Sequence, residues 1–260
     1  MLDMKLNRLI SLLAIPFMVA SCSLFSYDNF DGPTETMSGS IVDMDGNPIQ
    51  VETGGGARIK ILDYGYADNP QEMYLSVKND GTFINTKIFN SVYTVVAEGP
   101  FVPLIQYDAH SNIVSDKSLK NVTKKNFQGM RFEVEPYLIL NWTSEPTVNP
   151  DGSITVNFSF NRGTDNSEYH KKIKDVTLFV STTKYVGNGD MDKRFTTAIK
   201  GAEANNMLGM DNTMTTPALI PGRPYYVRVG ARMDYTGPWG SSNYNYTTVA
   251  KVVVPKPSVE

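Results

Sequence analysis

The chain holds one cysteine and two histidines in 260 residues. A single thiol cannot form an intrachain disulfide, so any folded core must rest on packing. His110 and His170 lie far apart in polar stretches, and neither has a second histidine or cysteine at metal-ligand spacing. G-x-S-x-G and phosphate-loop patterns are missing. Charge of one sign is scarce as well. The 24 Lys and Arg against 27 Asp and Glu give a net of −3, which supplies no basic field for nucleic acid. These shortages remove the motifs of thiol, zinc, nucleophile-elbow and nucleotide chemistry. A glycosidase-like pair of carboxylates stays open, because acidic residues are plentiful. The expectation is a chain that is not an enzyme and has no cofactor, no metal and no nucleic-acid partner.

Long apolar runs are also few. The run Leu9 to Ala20 is interrupted by Ser11 and Pro16 and is too short for a bilayer core that needs about 20 helical residues. With Lys5 and Arg8 before it, it reads as the h-region of a signal peptide. Val19-Ala20-Ser21-Cys22 closes the run and resembles the bacterial lipobox. That resemblance implies that residues 1–21 are a lipoprotein signal peptide. It implies also that Cys22 carries palmitate-type acyl chains and becomes the mature N-terminus. The alternative is an unprocessed thiol in an ordinary signal. One acyl chain holds a protein only reversibly, at about 0.8 kcal/mol per buried CH₂, whereas several hold it durably. Residues 22–35 read as an acidic tether, with Asp28, Asp31, Glu35 and a Gly32-Pro33 break. This tether resembles the export leader of Bacteroidetes lipoproteins, although the usual acidic pair directly after the cysteine is missing. The implied place is the outer membrane, with surface exposure favoured over the periplasmic face.

What is abundant is alternation. Ile59 and Ile61 alternate with Arg58, Lys60 and Leu62, and Met73, Leu75 and Val77 repeat the pattern. Asp45-Gly46-Asn47-Pro48 and Asn79-Asp80-Gly81 are turn signals. Tyr93, Val95 and Ala97 line one face of a later strand, and Met130, Phe132 and Val134 form a closing one. After Pro136, three runs alternate again: Leu138-Leu140-Trp142, Ile154-Val156-Phe158-Phe160 and Val176-Leu178-Val180. A last strand is expected over residues 246–254. No stretch keeps a helical period. The fold class predicted is all-β, two antiparallel β-sandwich domains in tandem, over residues 36–135 and 136–260. Residues 104–125 read as a long excursion with a short strand, and 184–218 are less regular.

Two domain resemblances follow. Gly39, Ile41, Asp43, Gly46 and Pro48, then Asp80-Gly81-x-Phe83 and Tyr93-x-Val95, resemble the carboxypeptidase-regulatory, transthyretin-like domain. Leu219-x-Pro221-Gly222-x-Pro224-Tyr225-x-Val227 resembles the fibronectin type III tyrosine corner, which implies that Tyr225 pins a crossover between sheets.

Aromatic residues are the other excess. Asp234, Tyr235, Trp239, Asn243, Tyr244 and Tyr246 crowd the segment between the last two expected strands, where sandwiches display loops. Tyr235, Trp239 and Tyr244 could present faces to sugar C–H groups, while Asn243, Asn245 and Asp234 bond hydroxyls. On the alternative reading these rings fold over a core edge. Asp43 to Asn47 resembles part of a calcium loop, but the twelfth position is Gly54 where a glutamate is required. A turn is the reading there.

Anchor, tether and two sandwiches together resemble a family of Bacteroidetes lipoproteins defined by a domain of unknown function. Such proteins tend to be encoded beside outer-membrane glycan-uptake systems. The resemblance implies a lipid-anchored accessory to glycan binding or uptake, with the membrane, a glycan and an uptake complex as partners. A structural or adhesive subunit is the alternative, and a divergent glycosidase a third reading.

Overall fold

The computed structural model describes residues 31–237 and 242–256. The expected signal peptide, Cys22 and Trp239 lie outside the described residues.

The first half contributes nine strands: β1 (Glu35–Val42), β2 (Arg58–Asp63), β3 (Glu72–Ser76), β4 (Thr82–Ile88), β5 (Tyr93–Glu98), β6 (Ile105–Tyr107), β7 (Ile113–Asp116), β8 (Leu119–Val122) and β9 (Met130–Glu133). One sheet has the order β4-β1-β9 and the other β3-β2-β5-β8, with β6 and β7 forming a separate hairpin. The inward residues of both sheets meet in one core, which includes Met37, Ile41, Ile59, Ile61, Phe83, Val95 and Phe132. Apart from Met73, which is 43% exposed, the alternation seen in the sequence is therefore the alternation of core and outer faces. The pairing is antiparallel except between β1 and β9, where Gly39 meets Met130 and Val42 meets Glu133 in parallel register. A parallel pair needs a long crossover, and here the whole of β2 to β8 supplies it. The expected hairpin turn at Asn79 to Gly81 is present, with Gly81 at φ +77° and no room for a Cβ beside the Ile41 carbonyl.

The second half contributes β10 (Leu138–Val148), β11 (Ile154–Arg162), β12 (Ile173–Ser181), β13 (Thr197–Lys200), the six-residue helix α1 (Gly201–Asn206), β14 (Asp211–Thr215), β15 (Arg223–Met233), β16 (Asn245–Tyr246) and β17 (Ala250–Val254). The sheets are β10-β11-β14 and β13-β12-β15-β16, with β17 also on β15. Ile154, Val156, Phe158 and Phe160 are fully buried between them. Each such side chain stabilises by about 1.5–3 kcal/mol relative to exposure.

Three expectations change in detail. The excursion over 104–125 holds three strands, β6 to β8. Strand β10 runs through Pro146, because it is an edge strand and its register slips between Ser144 and Thr147. The last expected strand is split into β16 and β17, both paired with β15.

The two halves share a seam. The Tyr137 amide donates to the Pro100 carbonyl at 3.0 Å, and the Asn245 side chain donates to the same carbonyl at 3.0 Å. Thr34–Glu260 forms one compact unit.

Candidate functional site

Among the described residues of the segment expected to face a sugar, Tyr244, Asn245 and Tyr246 are buried. Tyr244 is buried, packs edge-on against Phe179 at 5.3 Å, and donates its hydroxyl to the buried Asp175 carboxylate. Burial raises its pKa, and the Asp175 bond adds to that. Asn243 donates from Nδ2 to the Gly56 carbonyl of the first half at 3.2 Å. Asn245, also buried, donates to the Pro100 carbonyl at 3.0 Å and accepts from the Leu138 amide at 3.1 Å. These asparagines fasten one half to the other. Tyr244 and Asn243 thus take part in contacts of the fold itself. The physical reason is that β15 and β16 turn an outer face toward the first half, and the seam needs both rings and amides.

Tyr235 is half-buried in a cluster of three tyrosines, with centroids 5.4 Å from Tyr137 and 5.7 Å from Tyr169. Asp234 is exposed, and its amide donates to the Lys172 carbonyl at 2.8 Å. Of the loop's candidates, Trp239 lies outside the described residues. Tyr225 is buried; its hydroxyl accepts from the Ile220 amide at 3.1 Å and donates to the Ile220 carbonyl at 3.3 Å. That bond ties β15 to the connection before it. Asp43 accepts from the amides of Asp45 and Asn47 and from the Asn47 side chain, so its carboxylate closes its own turn.

The concave site is elsewhere, on the outer face of the β3-β2-β5 sheet. Arg58 and Lys60 project from β2, Glu72 and Tyr74 from β3, and Val96 and Glu98 from β5; in β2 and β5 they alternate with core residues, and in β3 only Leu75 is buried. Register brings Arg58 opposite Glu98 and Lys60 opposite both Tyr74 and Val96. After Gly99 the chain turns and lays Phe101, Leu104, Ile105 and Tyr107 beside this face, enclosing about 210 Å³. Val96 is consequently buried although it lies on the outer face of the sheet.

The charges in this pocket hold one another. Arg58 Nε lies 2.7 Å from Glu98 Oε2, and Lys60 Nζ lies 3.1 Å from Glu98 Oε1 and 3.3 Å from Glu72 Oε1. The Arg58 guanidinium stacks 3.7 Å above the Tyr74 ring, and the Tyr74 hydroxyl donates to Glu72. Burial works against the Lys60 ammonium, but Glu98 and Glu72 outweigh it and raise its pKa. The Tyr74 hydroxyl and Lys60 hold Glu72 below the usual carboxylate range, against a smaller opposing effect of burial. The side chains of Lys60 and Glu98 are only 16% and 12% exposed, so this network is partly withdrawn from water. Sequence reading passed over the pocket because each residue, taken alone, is an ordinary outer-face position. Only the strand pairing joins them.

Two family models match the chain. The N-terminal domain model of the protein of unknown function DUF3823 covers residues 35–127, and the C-terminal domain model of that family covers residues 144–251. The chain belongs to the DUF3823 family. The pocket lies within the DUF3823 N-terminal domain and the seam joins it to the C-terminal one. Among solved structures, the chain is similar to a DUF3823 family protein from Bacteroides uniformis ATCC 8492, at 28% identity and a TM-score of 0.76 over 86% of this chain and all of that one. A DUF3823 family protein from Parabacteroides merdae ATCC 43184 matches at 19% identity and a TM-score of 0.60 over 85% of this chain and all of that one. A second Bacteroides uniformis protein, provisionally named carbohydrate-binding, matches at 23% identity and 0.65 over 86% of this chain and all of that one. No curated protein matches this DUF3823 chain in sequence.

Proposed function

We propose that the chain is a non-catalytic, lipid-anchored protein of the outer membrane that binds glycan at the cell surface, beside an uptake complex. The observation that carries this reading is the pocket between the outer face of β2, β3 and β5 and the β6 segment. It is concave, walled by apolar and aromatic groups, and floored by a few converging polar ones, which is the make-up of a small-ligand site. The provisional name of the Bacteroides uniformis relative supports the ligand class. The Val19 to Cys22 motif supports the anchor. We read the first half as transthyretin-like and the second as fibronectin type III-like, the latter supported by the Tyr225 hydroxyl on Ile220. Trp239 stays a second candidate contact.

A glycan array probed with the full chain, followed by titration of each hit against Tyr107→Ala and Trp239→Ala, tests the binding role. Binding weakened by Tyr107→Ala supports the pocket, and binding lost only in Trp239→Ala moves the site to the loop. Membrane fractionation of Cys22→Ala tests the anchor; the variant is expected in the soluble fraction.

A further inference from the structure

We propose that this pocket takes a single uncharged sugar ring, an inference that rests on the glycan-binding reading above. Charge balance carries it first. Two cations and two carboxylates face the cavity, and both oxygens of Glu98 and of Glu72 are already engaged by Arg58, Lys60 or Tyr74. No cation is left without a carboxylate partner to receive a uronate or a sulfate. An anionic sugar would have to displace Glu98 from Arg58, or Glu72 from Lys60, and then sit beside the displaced carboxylate.

A hydroxyl makes no such demand. It both donates and accepts, so it adds to an ion-pair network without breaking it. It can donate to a second lone pair of a carboxylate and accept from the Lys60 ammonium. Because Lys60 and Glu98 are partly withdrawn from water, such bonds compete less with solvent.

Size and shape agree. The cavity of about 210 Å³ is smaller than the roughly 300–1,000 Å³ of sites for drug-sized ligands, and so admits one ring. The Tyr74 ring already carries the Arg58 guanidinium, whereas Tyr107 at the cavity edge is 59% exposed and offers a face to sugar C–H groups.

The test is calorimetric titration of the full chain, purified in detergent, with two probe sets. Maltoheptaose, xylohexaose and manno-oligosaccharides are the uncharged set; oligogalacturonate and heparin oligosaccharides are the anionic one. The expected result is binding of an uncharged probe that changes little between about 50 and 500 mM NaCl, since no ligand charge is screened. Glu98→Gln is expected to weaken it about tenfold, the loss expected for one hydrogen bond to a charged group. Tyr107→Ala is expected to weaken it at an unchanged melting temperature. Binding of only the anionic set, weakening with salt, would overturn the inference while glycan binding stands. Uncharged-probe binding unaffected by either variant would overturn the assignment to this pocket. Silence from both sets, and from the array, would overturn the binding reading itself.

Discussion

Arg228, in β15 of the second half, donates from Nη1 to the Val51 carbonyl of the first half at 3.0 Å. Arg228 is fully buried and has no carboxylate in ion-pair contact among the described residues. Its guanidinium lies 4.0 Å over the Tyr246 ring and also donates to the carbonyls of Val186 and Thr247. Burial pushes its pKa down to about 10, so it stays charged at neutral pH. A buried cation held by carbonyls and a ring in place of an anion stabilises only while both halves are docked. Gly230 contributes to this geometry, because a Cβ there would strike the Tyr246 ring at 2.8 Å.

Arg228→Ala should therefore loosen the seam. Loss of packing and of three carbonyl bonds is expected to cost about 3 kcal/mol. At roughly 2–4 °C per kcal/mol for a chain of this size, the melting temperature should fall by about 6–12 °C. Arg228→Met keeps the stem and removes the buried charge, so it should lose less. Differential scanning calorimetry compares the three. A change under about 2 °C for the alanine form would show that the seam contributes little.

Tyr244→Phe should lower stability and leave ligand binding alone. The buried Asp175 carboxylate would keep Arg232, whose Nη2 lies 2.8 Å away, but lose its hydroxyl donor. The expected cost is about 1–3 kcal/mol. Thermal melts and glycan titrations on the same preparation check this. Affinity lost at an unchanged melting temperature would return Tyr244 to the ligand site.

Asp116 should mark the acid side of the stability profile. Lys120, 2.7 Å from its carboxylate, and then Ser118 hold its pKa at about 2, below the ordinary 3.8. A depressed folded-state value means a contribution fully present above the unfolded value and lost as pH falls through the folded one. Asp116→Asn should then be less stable than the parent by a constant margin above about pH 4, with the gap closing between pH 4 and 2. Urea unfolding at several pH values reads this directly. A gap that widens on acidification would contradict the assignment.

Residues 34–135 and 136–256, produced separately, should each give a β-type circular dichroism spectrum and each melt below the full chain. Each has its own core, but each would expose seam groups such as Asn245 and Val51. Failure of either half to fold would mean that the seam is part of that half's core.

Much of the β architecture was legible because alternation is a local property. Ile154 to Phe160 alternates in the sequence and lies in the core without exception. The turn at Asn79 to Gly81 and the contact of Tyr225 with Ile220 are similarly short-range. The aromatic segment was less legible for the opposite reason. Aromatic and amide side chains between two strands look alike whether they face water or another domain, and here Tyr244 is buried while Asn243 bonds to the first half.

The sequence by itself determined the strand faces, the main turns, the two-part division and the anchor motif, because each depends on neighbours a few residues apart. Only the tertiary structure decided that Arg58 and Lys60 meet Glu98 and Glu72, and that Arg228 meets Val51. Those contacts span from 12 to 177 positions of chain, and sheet pairing and domain docking create them.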